Sequence, residues 1–373
     1  MAKLSFHNIC LLIVFFTSFL ITDTCSGLLK NHVALFIFGD SLFDAGNNNY
    51  INTTFRSNYK PYGETFFHHP TGRFSNGRLI SDFIAERAKL PLILPYLQPG
   101  IDHQLTYGVN FASAGAGALL ETRQGLGIDL QTQLGYFKNV SRQLRKQLGD
   151  AGAKSLLSRA VYLFSVGGND YTLPFEINST VPHSYSPKQF VGLVIGNITT
   201  VVKEIYENGG RKFGFVNMLP ISCFPSAKAL LGISFGIRST GGRCFEQITP
   251  YVKLHNKELP KLLQKLQSEL KGFKYSLLPF YSFLDQRINH PSKYGFKEGK
   301  AACCGSGPYR GSRSCGGKRG VKEYYLCKNV SEYVFFDSSH PTERANQQFV
   351  NQSWNGKPTL SGSHSLKALF ESY

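Results

Sequence analysis

The string VALFIFGDSL at residues 33–42 runs through six apolar residues without a break and then turns polar at Gly39, Asp40 and Ser41. A run with no polar alternation is the pattern of a strand buried on both faces, and such strands belong to parallel sheets flanked by helices. Residues just past the carboxyl end of such a strand are where open α/β sheets hold ligands. A second junction of this kind lies near the other end of the chain, where Asp337-Ser338-Ser339-His340 follows the apolar run 333–336. Serine, histidine and aspartate are the three parts of a charge-stabilised acyl-transfer site.

Between the two junctions the pattern alternates. Residues 160–166 (AVYLFSV) and 212–218 (KFGFVNM) repeat the buried-strand signature, and 275–280 is a weaker instance. Helical signals separate them. Ser186-Pro187 puts serine at an N-cap and proline at the first helical position, and Gly209-Gly210 stops that helix. Thr249-Pro250 opens another, which carries Leu254, Leu259, Leu262, Leu263, Leu266 and Leu270 and ends at Gly272. Strand alternating with helix predicts a parallel sheet with helices on both faces. No linker, repeat or low-complexity tract divides residues 28–373, which read as one domain. The Gly-, Cys- and Lys/Arg-rich stretch 296–327 reads as a disulfide-pinned loop.

Residues 1–27 read as a secretory signal. Lys3 gives a basic start, 9–21 is apolar apart from Thr17 and Ser18, and small or polar residues close the segment. The run is short for a spanning helix. Of the eight cysteines, Cys10 and Cys25 fall here; the rest are Cys223, Cys244, Cys303, Cys304, Cys315 and Cys327. An even set in an exported chain predicts disulfides, with the pairing open. Zinc on Cys303, Cys304, Cys315 and Cys327 near His340 is the rival reading, disfavoured because no Cys-x-x-Cys pair occurs. No metal or cofactor is expected. Sequons at Asn52, Asn139, Asn178, Asn197, Asn329 and Asn351 predict glycosylation on the same route.

The formal net charge of +17 raises nucleic acid as a partner. The basic residues are scattered, however, apart from 297–322, and no nucleic-acid-binding motif accompanies them. Attraction to an anionic cell wall or membrane surface is the better reading, with solubility as the plainer alternative.

Glycine lets the backbone turn sharply past the first strand, and Ser41 then opens a loop or helix. At a helix N-terminus its own N–H would face a developing oxyanion. Capping is the ordinary role of Asp and Ser at such a place, and it is the distant junction that gives Ser41 its weight. Asp337 and His340, three apart, fall on one side of a helical turn, where the carboxylate orients the imidazole and the other ring nitrogen faces Ser41. Two clusters suit the oxyanion. NFASAGAG at 110–117 offers a backbone N–H, and Gly167-Gly168-Asn169-Asp170 offers the Asn169 amide at a strand end. Gly232-Ile233-Ser234-Phe235-Gly236 matches a nucleophile elbow, but nothing strand-like precedes it and Ser234 is set aside. His68, His69 and His255 have no partner pattern and read as structural or exposed.

Four ordered blocks resemble the plant extracellular GDSL esterase/lipase family of the SGNH hydrolase superfamily. They are FGDSLFDAGNNNY (38–50), GVNFASAGAGAL (108–119), GGND (167–170) and FFDSSHPTERAN (335–346). PTGRFSNGRLISDFIAE at 70–86 and the cysteine-bearing ACCGSGPYRG are similar to the same family. The resemblance implies a three-layer α/β/α fold with a flavodoxin-like parallel sheet. It implies Ser41 as nucleophile, His340 as general base and Asp337 as its partner. The oxyanion hole would be the Ser41 N–H, a glycine N–H of the second block and the Asn169 side chain. Family members often read Ser-Gly-Gly where this chain has Ser113-Ala114-Gly115, so Gly115 is assigned and Gly117 held in reserve. The implied activity is hydrolysis of carboxylic, acyl-lipid esters in an extracellular setting, the apoplast or cell wall. The rivals are an acyltransferase using the same site and a non-catalytic lipid- or wall-binding protein.

Overall fold

The apolar run of 33–38 becomes β1 (Leu35–Gly39), all five residues of which are buried. The structure is a computed structural model and describes residues 33–177, 184–234, 241–317, 323–356 and 364–371. The signal segment, Asn178, and Phe235 and Gly236 of the elbow-like motif lie outside the described residues.

β1 pairs in parallel with β2 (Val161–Ser165), β2 with β3 (Lys212–Val216), and β3 with β4 (Lys274–Leu278). Each strand lies within two residues of the apolar run that predicts it. The free side of β1 takes up the small-residue block. Ile37 N–H donates to Val109 O at 3.0 Å, Phe111 N–H to Ile37 O at 2.8 Å and Ser113 N–H to Gly39 O at 3.0 Å. A parallel bridge joins Ile37 and Asn110. With that segment counted as the second strand of the chain, the spatial order is 2-1-3-4-5, the flavodoxin-like order. Its switch point falls between β1 and β2. Ser41 leaves one of these strands and Asn169 the other.

Helices α1 (Ile80–Arg87), α2 (Leu130–Arg159), α3 (Gly168–Glu176), α4 (Pro187–Glu207) and α5 (Pro225–Ser234) alternate with these strands. α6 (Thr249–Glu269), α7 (Phe280–Asn289), α8 (Glu343–Trp354) and α9 (Leu366–Glu371) follow. α4 starts as its sequence predicts, with Ser186 accepting the Gln189 N–H and Pro187 next. The strand register lines up Phe36, Tyr162 and Phe213, and beside them Phe38, Phe164 and Phe215. Their rings stack across the sheet at 5.4, 5.3, 4.9 and 5.2 Å. Each such pair adds about 1 kcal/mol to its buried area. From α2, Phe137 meets Phe36 at 5.5 Å and Phe38 at 6.0 Å, and α4 and α6 continue this layer. On the other face β3 carries Gly214, where an added Cβ would stand 3.5 Å from Leu366 Cδ1 of α9. α9 packs on α8, and α8 on α1, giving the third layer.

One expectation changes. The run 333–336 is not a strand of the main sheet: β8 (Tyr333–Phe335) pairs in parallel with β5 (Glu298–Ala302). The cysteine segment takes its backbone groups, with Cys303 N–H donating to Phe335 O at 2.9 Å and Cys304 N–H to Phe336 O at 2.7 Å. β6 (Cys304–Gly305) and β7 (Tyr325–Leu326) form a short antiparallel pair in the same region. Disulfides join Cys223 to Cys244, Cys303 to Cys327 and Cys304 to Cys315. The zinc reading therefore loses its four thiolates. Among the described residues no helix is long and apolar enough to cross a membrane.

Candidate active site

Ser41 owes its place to Gly39. There φ is +149°, and an added Cβ would stand 2.2 Å from Ser165 O, so only glycine lets the ends of β1 and β2 come this close. Gln133 of α2 clamps the same residue. Its Oε1 accepts the Gly39 N–H at 2.9 Å, and its Nε2 donates to Gly39 O at 2.8 Å. Beyond it the Phe43 and Asp44 N–H groups turn back to Asp40 O. Ser41 thus rides on a single turn: of the loop or helix expected there, the loop forms. Asp44 is the reason: its Oδ1 captures the Gly46 and Asn47 N–H groups at 2.8 and 2.7 Å, which favours a turn over a helix. Its Oδ2 takes the Ala114 N–H at 2.9 Å and so fastens the first block to the second.

His340 Nε2 lies 2.7 Å from Ser41 Oγ, and His340 Nδ1 lies 2.7 Å from Asp337 Oδ1. Asp337 Oδ1 also accepts the Ser339 and His340 N–H groups, both at 2.9 Å. The segment is a carboxylate-closed turn and not the helical turn expected. Pro341 is the cause, since the residue before a proline avoids the helical region. The other carboxylate oxygen accepts from Tyr62 OH at 2.6 Å. Burial alone would raise the Asp337 pKa. The charge of His340 and the hydrogen bonds from His340, Tyr62 and Ser339 outweigh it and bring the carboxyl down to about 2. An ionised carboxylate only accepts, so Nδ1 carries the ring proton and Nε2 presents its lone pair to the Ser41 hydroxyl. Phe74 backs the imidazole with its ring 4.9 Å away.

Asn169 stands in the first turn of α3. Its Nδ2 donates to Ala116 O at 2.9 Å, which fixes the amide and leaves its second hydrogen available. Gly115 has φ +86°. Among the described residues neither the Ser41 N–H nor the Gly115 N–H donates to a protein acceptor. Ser41, Gly115 and Asn169 all line one cavity of about 510 Å³. Gly117 does not line it. Its carbonyl takes the Leu130 N–H, and Asp170 Oδ1 occupies the space beside its Cα. Asp170 organises this loop by accepting from Ala118 N–H, Leu119 N–H and the Thr122 hydroxyl. Burial raises the carboxyl pKa of Asp170, and takes Asp40 up to about 7 and Asp44 up to about 6. The rest of the cavity is mainly apolar, with Phe55, Val216, Met218, Leu219 and Phe224 among its walls.

Other candidates stay apart from this cavity. Ser234 ends α5, whereas an elbow serine must open a helix after a strand. His255 is buried against Tyr171 OH at 2.9 Å, and burial lowers its pKa to about 4. His68 and His69 are exposed. Asn52, Asn197, Asn329 and Asn351 are exposed, and Asn139 is half-buried in α2. Among the described residues no cluster of His, Cys, Asp and Glu could hold a metal ion. Tyr62, Gln133, Asp44 and Phe74 support the site, and the sequence reading passes over them. Gln133 had a signal, a polar side chain on the stripe of Leu130, Leu134 and Phe137.

The chain matches the GDSL-like Lipase/Acylhydrolase family model over residues 35–352. It is 53% identical over 350 residues to GDSL esterase/lipase 1 of Arabidopsis thaliana, covering 93% of this chain and 92% of that protein. GDSL esterase/lipase 4 of the same plant is 49% identical over 381 residues, with 99% and 100% covered. A GDSL lipase of Tanacetum cinerariifolium is 49% identical over 340 residues, with 91% and 88% covered.

Proposed function

The chain belongs to the GDSL-like lipase/acylhydrolase family and is a carboxylic-ester hydrolase; from that premise we propose that its chemistry runs through Ser41, His340 and Asp337. The supporting observation is the unbroken line of two 2.7 Å contacts from the Asp337 carboxylate through the imidazole to Ser41 Oγ. Ser41 attacks the ester carbonyl as His340 Nε2 takes its proton, and Asp337 stabilises the imidazolium that results. The tetrahedral oxyanion rests on the Ser41 N–H, the Gly115 N–H and the free amide hydrogen of Asn169. His340 then returns the proton to the leaving alcohol. Water, activated by the same ring, releases the acid from Ser41. No step needs a cofactor.

The apolar walls favour an acyl chain as the group they hold, so the substrate class is acyl lipids or comparable esters. Export and glycosylation are part of the same reading. The three disulfides, the exposed sequons and the apolar segment 9–21 support them. The basic surface suits an anionic apoplastic or cell-wall setting, with no nucleic-acid partner. Ser41→Ala tests the site: kcat on a short-chain ester falls by roughly 10⁴-fold or more with the fold kept. Near-full turnover by that variant rejects the assignment.

A further inference from the structure

The cavity wall carries a second charged group besides the Ser41–His340–Asp337 line. Glu176, at the end of α3, accepts from Arg123 Nη2 through Oε2 and from Arg313 Nη2 through Oε1, each at 2.5 Å. All three residues line the cavity, and they come from three separate segments. Two guanidiniums meet one carboxylate, so the cluster keeps one positive charge in a mainly apolar wall. Arg123 is the inner member, 9% exposed, and its ring neighbour is Phe55 at 4.8 Å. Its Nε is fully enclosed and meets no hydrogen-bond acceptor among the described residues. With no exposed surface of its own, Nε is closed to a ligand, so contact with one falls to the Nη groups. The backbone of Arg123 is also held at φ +51°, the left-handed region that non-glycine residues seldom adopt.

The position relative to the reacting centre is informative. A Cβ built on Gly115 would stand 3.2 Å from Arg123 Cδ. The guanidinium therefore begins one bond beyond an atom that lies beside the proposed oxyanion glycine. We propose that Arg123, assisted by Arg313, forms an anion subsite that selects esters bearing a carboxylate or phosphate a few bonds from the scissile carbonyl. The inference rests on the hydrolase site described above and deepens it by naming a substrate class. A guanidinium suits both anions through paired N–H donors. Glu176 holds the fork in place and leaves the remaining donors for the ligand.

The test measures kcat/KM for matched pairs on the full, disulfide-bonded protein. Monoethyl succinate, glutarate and suberate are compared with ethyl esters of unsubstituted acids of the same length. Monohexanoylglycerol 3-phosphate is compared with monohexanoylglycerol. The wild type should prefer the short-spacer anion by about ten- to a hundredfold, the factor carried by one or two charge-assisted bonds. The preference should fade at suberate. Preference in the acid series alone makes the ligand a carboxylate, and preference in the glycerol pair alone makes it a phosphate. Arg123→Gln and Arg313→Gln should shrink the anionic-to-neutral ratio, with Arg123→Lys between them and the wild type. A ratio is unaffected by a partly unfolded preparation. Ratios near one in every wild-type pair, with neutral esters turned over, overturn the subsite alone. Absence of turnover on all esters, neutral ones included, overturns the hydrolase site and the subsite with it.

Discussion

Removing one oxygen from Tyr62 should weaken both the fold and the reaction. The ring of Tyr62 packs on Phe336 at 5.2 Å, Tyr59 at 5.6 Å and Phe74 at 6.0 Å, and Tyr62→Phe keeps all of that. What goes is the 2.6 Å bond from its hydroxyl to Asp337 Oδ2. A hydrogen bond to a buried charge is worth about 1.5–3 kcal/mol. The pH dependence sharpens the test. The Asp337 carboxyl falls from its ordinary 3.8 to about 2 in the fold, so its stabilisation is present above pH 3.8 and is lost as pH falls toward 2. The whole shift corresponds to about 2.5 kcal/mol. Tyr62 is one of four contributors lowering it. Tyr62→Phe should therefore cost about 2 kcal/mol at pH 7, and the gap from wild type should narrow as the carboxyl protonates. Asp337 Oδ1 keeps its three bonds, so His340 stays oriented and kcat should fall only about tenfold, with KM little changed. Denaturant unfolding at pH 3 to 7 and steady-state turnover of a short-chain ester read both quantities. A variant equal to wild type in stability and kcat at pH 7 would refute the reasoning.

Asn169→Ala should lower kcat by roughly 10²–10³-fold, the usual cost of one oxyanion donor, with little change in KM. Gly117→Ala separates the two glycines: its added Cβ would meet Thr122 and Asp170 at 2.4–2.5 Å, so it should lower stability with kcat of the folded fraction kept, whereas Gly115→Ala, itself strained at φ +86°, should lower kcat as well as stability. Unfolding curves beside kinetics on both variants check this. His255 has its pKa depressed by burial from 6.5 to about 4, so the unfolded chain binds a proton that the fold refuses between those values. Stability should thus be full above pH 6.5 and fall by about 3 kcal/mol on the way to pH 4. His255→Asn should flatten that part of the curve, and an unchanged slope would assign the acid sensitivity elsewhere.

Where the residues of the candidate site lie close in sequence, their grouping was readable. Gly39-Asp40-Ser41 follows its strand immediately, and Asp337 and His340 share one turn. Both patterns are local. Even there the backbone was less readable, because Pro341 and the Asp44 carboxylate impose turns where the spacing alone allowed helix. Long-range supports were not readable. Tyr62 and Asp337 are 275 positions apart, and no periodicity links a loop tyrosine to a carboxylate. The segment at 109–113 hid its pairing with β1 because asparagine, alanine and serine break up its apolar pattern. Only its hydrogen bonds to β1 reveal it. The cysteine pairing was likewise closed to spacing, since it depends on tertiary pairing such as that of β6 with β7, which sets Cys303 beside Cys327.

The central claim is that Ser41 is an activated nucleophile. Labelling of the purified protein with a fluorophosphonate, followed by mass spectrometry of the modified peptide, tests it most directly. The account predicts one adduct, on Ser41, lost in His340→Ala. A folded protein that takes up no probe, or one labelled on Ser234 instead, would contradict it.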